Sequence, residues 1–147
     1  MIRAISLSMI LLVFLTQGVS GQDENMSFFI TSANPGSGAD LGGLAGADTY
    51  CETLADAAGV GDLTWRAYLS TTGPGSVNAR DRIGNGPWHN FEGTLVARDV
   101  EHLHSNGPNL TKGTILTEKG DEVNGRGDQP NMHDILTGAL MNGNASS

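Results

Sequence analysis

Three features of this chain predict an α+β domain with one main helix, a second short helix, several short strands and long loops. Apolar residues recur at helical spacing from Leu44 to Ala58 and stop at Gly59. Further along, the apolar runs are too short for helices and either alternate or are β-branched. Glycine supplies 21 of the 147 residues, which shortens elements and multiplies turns.

The first apolar run inside the predicted domain is Ser27-Phe28-Phe29-Ile30-Thr31-Ser32, which ends at the turn cluster Asn34-Pro35-Gly36 and is expected to be a strand. The helix follows. Leu44, Ala47, Cys51, Leu54, Ala55 and Ala58 share one face, and Gly59 sits where a left-handed glycine ends a helix. Gly46 inside that pattern costs about 1 kcal/mol against alanine, so a neighbour is expected to pack too closely there for a side chain. In residues 64–70, Trp65, Ala67 and Leu69 alternate with Arg66, Tyr68 and Ser70, as in a half-buried strand with Trp65 in the core. Residues 76–83 are expected to form the short helix, with Val77, Ala79 and Ile83 inward. Short strands are expected at 87–89, 94–97, 114–116 and 134–138, one helical turn at 100–104, and loops at 106–109 and 119–131.

Residues 1–21 have the composition of a signal peptide. Arg3 precedes an apolar stretch of roughly a dozen residues, too short to span a bilayer, and small residues follow at Gly18-Val19-Ser20-Gly21. The expected organisation is a signal peptide at 1–21, a polar linker at 22–26, a domain at 27–140 and a disordered tail at 141–147. The product is then secreted, or periplasmic in a Gram-negative bacterium, with no membrane contact after cleavage. The chain carries 16 acidic and 8 basic residues, a net charge of −8, which disfavours nucleic acid and polyanionic glycans as partners.

Cys51 is the only cysteine, an odd number for an exported chain. It reads either as a small buried hydrophobe or as half of a disulfide. A catalytic thiolate would need a base and an electropositive setting, and the adjacent residue is Glu52.

Gly42-Gly43-Leu44-Ala45-Gly46-Ala47-Asp48, then Cys51, then Trp65-Arg66-Ala67-Tyr68-Leu69-Ser70, then Ala79-Arg80-Asp81-Arg82-Ile83 resemble the N-terminal half of the endostatin-like family, within the C-type-lectin-like folds. Gly86-Pro87-Trp88, Thr117-Glu118-Lys119-Gly120 and Asp134-Ile135-Leu136-Thr137-Gly138 continue the pattern. The resemblance implies a secreted, non-enzymatic binding module of the bacterial lectin type, directed to carbohydrate or an extracellular matrix protein. It also implies that Cys51 pairs with a cysteine near the C-terminus and that a final strand pairs with the first. Neither is present before Ser147, so the chain is expected to be a shortened member with a marginal fold, or a non-functional remnant. In the family context an arginine of Ala79-Arg80-Asp81-Arg82, Arg80 foremost, or Asp81 is expected to tie this loop to the helix.

Candidate site residues are few. Trp88, beside Gly86-Pro87, is expected to be a partly exposed ring able to stack on a ligand. Asp121, Glu122, Asn124 and Asp128 in a glycine-rich loop have the oxygen chemistry for calcium, although the spacing misses the EF-hand pattern. His102 and His104, with Asp99 and Glu101, offer the alternative of a metal-dependent hydrolase, with His89 or His133 as a third ligand. Arg126-Gly127-Asp128 spells an adhesion tripeptide, and Asn25, Asn109 and Asn144 head glycosylation sequons.

Overall fold

The computed structural model describes residues 22–35, 38 and 40–146. The predicted signal peptide lies outside the described residues. Among those described, the protein is a small α+β structure with two α-helices, α1 (Gly43–Ala58) and α2 (Val100–Leu103), and one antiparallel sheet of β1 (Trp88–His89) and β2 (Leu95–Ala97).

Helix α1 follows the sequence pattern. Ala47, Ala55 and Ala58 are buried and Leu44, Cys51 and Leu54 half-buried on one face. Gly59, at φ 85°, returns its N–H to the carbonyls of Ala55 and Asp56 and ends the helix. The close neighbour expected at Gly46 is the backbone of Leu41: a Cβ built on Gly46 would lie 2.1 Å from the Leu41 carbonyl oxygen. Gly46→Ala is therefore expected to lower stability by about 1–3 kcal/mol despite alanine's better helix propensity, as measured by urea unfolding. An unchanged or raised midpoint would show that the helix start shifts freely.

Two apolar clusters form the core. Met26, Ala55, Ala58, Val60, Trp65, Phe91 and Leu116 make the larger, with Phe29 and Cys51 at its edge. Trp88, Val96 and Ala97 make the smaller, flanked by Phe28, Ile83, Val100 and Leu103. Met26 is 0% exposed and the Asp23 N–H donates to the Phe91 carbonyl, so the segment expected as a polar linker is attached to the domain at these two residues, while Glu24 and Asn25 between them are exposed.

The β1–β2 turn is built by Asn90. Its side-chain oxygen accepts from the N–H of Glu92 and of Thr94, and its amide donates to the Thr114 carbonyl. Asp99 caps α2 by accepting from the His102 N–H at 2.7 Å.

Several expected elements take other forms. Residues 27–32 are extended but make a single parallel bridge, Ile30 with Thr117, in place of a ladder. Residues 64–70 keep the alternation, with Trp65 and Ala67 buried and Arg66 exposed, yet form no strand. There the Ala67 N–H goes to a side chain, the Asp48 carboxylate, and the Leu69 N–H turns back to the Ala67 carbonyl at 2.8 Å, so neither joins a sheet. Residues 76–83 contain only a 3-10 turn at Ala79–Asp81, with Ala79 buried. At 114–116, Thr114 and Ile115 return their N–H groups to the Thr111 carbonyl as a turn, and only Leu116 joins a bridge. Residues 134–138 are irregular, held where the Ser70 N–H donates to the Thr137 carbonyl, and leave Leu136 71% exposed.

The segment expected as a disordered tail closes a small hairpin instead. Ala139 bridges Ala145, and the hairpin docks on Arg80, which donates from its backbone to Gly143 and from its guanidinium to the Asn142 carbonyl at 2.9 Å. A side chain at Gly143 would meet His104 Nε2 at 2.3 Å, which explains the glycine at that φ of 78°.

Candidate binding cleft

The pieces that fail to form a ladder face one another across a cleft of about 960 Å³. Residues 27–35 line one part of it and residues 64–69 another; Ile135, Leu136, Leu140 and Met141 overhang it. Its polar lining is sparse, and the side chains that shape it are braced from behind.

The main brace is Asp48, a buried carboxylate on the inner face of α1. One oxygen accepts from the Ala67 N–H at 2.9 Å. The other accepts from Arg82 at 2.7 Å and Arg66 at 3.3 Å. Arg82 also donates to the Ala67 carbonyl at 2.6 Å. The side chains of Asp48 and Arg82 are 10% and 12% exposed, so this pair is well withdrawn from water, whereas Arg66 remains at the surface. It fixes the segment carrying Trp65 and Tyr68 against α1.

A second brace is Glu118, 2% exposed, which accepts from both the backbone N–H and the hydroxyl of Ser32 and so anchors the end of residues 27–32. A third is aromatic: the Phe29 and Trp65 ring centroids are 4.7 Å apart, and the Trp65 indole N–H donates to the Val60 carbonyl at 2.9 Å.

Within the cleft, Tyr68 Oη lies 2.8 Å from His104 Nε2, and His104 Nδ1 lies 2.7 Å from the Val100 carbonyl. A carbonyl only accepts, so Nδ1 carries the hydrogen; in the neutral ring Nε2 accepts from the Tyr68 hydroxyl. Burial pushes the Tyr68 phenol up, opposed by the positive charge of Arg80, so it stays a neutral donor. The pair fixes ring orientation and leaves only the phenolic oxygen with spare acceptor capacity.

Other sequence-predicted residues occupy different places. Trp88 lines the cleft but is buried in the smaller core cluster, with Gly86 so close that a Cβ there would touch the ring at 3.0 Å; it is not an exposed stacking platform. Trp65 is core, as expected. Among the described residues Asp81 reaches only Asn78, and Arg80 holds the C-terminal hairpin and pairs with Glu101 of α2; the tie from the loop to α1 is made by Arg82.

Asp128 receives Lys112 Nζ at 2.6 Å and the Gly125 N–H at 2.7 Å; the hydrogen bond from Lys112, then that from Gly125, hold its carboxyl below the usual range. A surface ammonium group thus neutralises the Asp128 carboxylate, which is also the carboxylate of the adhesion tripeptide. Asp121 contributes its backbone to Thr117, while Asn124 is half-buried elsewhere along the loop. Of the histidines, His102 Nδ1 accepts from the Arg98 N–H and both His104 nitrogens are engaged. Among the described residues no three His, Cys, Asp or Glu side chains are placed to hold a metal ion.

No family model, curated protein or solved structure matches this chain. No helix among the described residues is long and apolar enough to cross a membrane.

Cys51 lines the cleft as a half-buried free thiol. Burial, reinforced by the negative charge of Asp48, pushes it up to about 11. Thiolate, the reactive form, is therefore scarce at neutral pH. Ellman's reagent at pH 8 is expected to react at least tenfold more slowly with the native protein than with the protein in urea; equal rates would contradict the burial. Because the folded thiol holds its proton above the ordinary value of 9.0, the folded state binds more protons than the unfolded state between about pH 9 and 11. Its contribution is intact below pH 9 and declines across that window, and Cys51→Ala is expected to remove that part of the decline.

Asp48, Arg82, Glu118, Tyr68 and His104 carry the site, and sequence reasoning left them unassigned or assigned otherwise. Asp48 in particular reads from the helical pattern as a surface residue off the apolar stripe of α1, yet it is 7% exposed because Arg82 and the Ala67 N–H pack onto it.

Proposed function

We propose that this protein is a secreted, non-enzymatic binding module on a C-type-lectin-like, endostatin-like fold, and that its ligand enters the apolar cleft. The observation that carries this reading is the cleft itself. Its volume of about 960 Å³ falls in the range of ligand sites. Large apolar residues at its mouth, Ile135, Leu136, Leu140 and Met141, stand more than half exposed, which is costly unless something covers them.

With both tryptophans buried, a sugar-stacking platform has little support. A ligand with an extended apolar face fits the walls better, so an extracellular protein is favoured over a glycan. The net charge of −8 argues against nucleic acid.

The test is titration of the purified protein with the neutral apolar dye Nile red. Saturable one-site binding is expected, reduced at least tenfold by Leu136→Asp combined with Leu140→Asp. Both positions are exposed, so the melting temperature is expected to be retained. Absence of saturable binding, or binding indifferent to this variant while the fold is retained, defeats the proposal.

A further inference from the structure

We propose that the cleft accepts an extended peptide strand from a partner protein, added to the open edge of residues 27–32; this rests on the cleft being the binding site.

In an extended chain successive N–H groups point to opposite sides. Here Ser27 is bonded to the fold at the head of the segment, its N–H donating to the His89 carbonyl, and from Phe28 onward the even-numbered donors are used inside the fold. Phe28 donates to the His89 carbonyl, Ile30 to the Leu116 carbonyl and Ser32 to the Glu118 carboxylate. The donors between them, Phe29 and Thr31, have no acceptor among the described residues. Within residues 27–32, residues 28–31 therefore form an extended stretch satisfied on one edge and open on the other, with Thr31 exposed and all six residues of the segment lining the cleft. Four residues of extended chain span about 13 Å, the length of a short strand.

An open edge beside an apolar cleft is the geometry of strand addition, in which backbone hydrogen bonds supply affinity and alternate side chains enter pockets. Ser32 is fixed by buried Glu118 and Ile30 by Thr117, so the edge is held in its extended form before a partner arrives. The ionisable side chains lining the cleft are few, chiefly Arg66, His104 and Asp134, so the inserted side chains are uncharged. Outside it the chain is strongly acidic, which favours lysine or arginine flanking the strand. The occupant is thus an extended segment with apolar residues at alternating positions and basic flanks.

The probe is a peptide of about ten residues, alternating valine and threonine between lysine pairs. Added to the full chain, it is expected to displace Nile red and to slow hydrogen exchange at the Phe29 and Thr31 amides at least tenfold. The Ile30 amide, already bonded, is the internal reference. N-methylation of the peptide amides on one edge is expected to weaken binding at least tenfold, and Thr31→Pro, which removes a donor at an exposed site, to do the same. If Nile red binds but the peptide does not, or if the N-methylated peptides bind as well as the parent, the strand proposal fails while the cleft reading stands. If neither dye nor peptide binds, both fail. Peptide binding without protection of Phe29 and Thr31 also overturns the strand proposal, and leaves the cleft as a site for apolar side chains alone.

Discussion

Asp48→Ala is expected to destabilise the protein by about 3–5 kcal/mol, the range for removing one partner of a buried ion pair. The substitution strands the Arg82 guanidinium, whose side chain is only 12% exposed, and leaves the Ala67 N–H without its acceptor. In a protein of this size the loss lowers the melting temperature by about 10–20 °C. Asp48→Asn, which keeps an acceptor for Ala67 but not the charge, is expected to fall between wild type and Asp48→Ala. Removing both charges together, Asp48→Leu with Arg82→Met, should recover much of the loss, because the stranded charge and not the missing attraction is the larger cost. Thermal melts of the four proteins followed by far-UV circular dichroism make the comparison. If Asp48→Ala stays within about 1 kcal/mol of wild type, the carboxylate does not brace the fold.

Trp65→Ala is expected to cost a similar amount, about 3–5 kcal/mol, for a different reason. The indole fills the larger core cluster, supports the Phe29 ring and bonds the Val60 carbonyl. Deleting it leaves a cavity between α1 and residues 27–32 and frees the strand edge that the cleft presents. Trp65→Phe, which restores much of the volume but not the indole N–H, is expected to cost about 1–2 kcal/mol. Urea unfolding at constant m-value would separate these. A Trp65→Ala variant as stable as Trp65→Phe would mean that the ring contributes little packing. Both predictions converge on the same segment, since Asp48 holds Ala67 and Trp65 lies two residues before it.

Helix α1 was legible because its information is local. Six residues at spacings of three and four place one face inward, and Gly59 ends the helix whatever lies around it. The strands β1 and β2 were legible as short apolar runs, but their antiparallel pairing was set by the structure. The alternation in residues 64–70 correctly separated inward Trp65 and Ala67 from outward Arg66. The same alternation overpredicted a strand, because period two reports which side faces the core and says nothing about whether a neighbouring chain is present to pair with. Residues 27–32 and 134–138 carry strand-like sequences for the same reason and remain outside any ladder.

The site was much less legible. Trp88 reads as exposed beside Gly86-Pro87, yet the ring is buried and comes so close to Gly86 that a Cβ there would meet it at 3.0 Å. Asp128 of the 119–131 loop has the chemistry of a cation ligand, but its partner is Lys112, which comes from outside the loop. Arg80 and Arg82 are two residues apart and indistinguishable as sequence, but the turn between them sends one to the C-terminal hairpin and the other to Asp48.

By itself, the sequence determined the α+β class, the long helix with its glycine stop, the inward tryptophan at 65 and the acidic character of the surface. These depend on periodicity and composition, which act over a few residues or over the whole chain at once. The tertiary structure alone decided the Asp48–Arg82 brace, the Tyr68–His104 pair, the docking of the last residues on Arg80, and the cleft with its open edge at Phe29 and Thr31. Those depend on contacts between residues 15 or more positions apart. A hydrogen bond is set by a few tenths of an ångström in the placement of separate chain segments, and nothing in the residue types fixes that placement in advance.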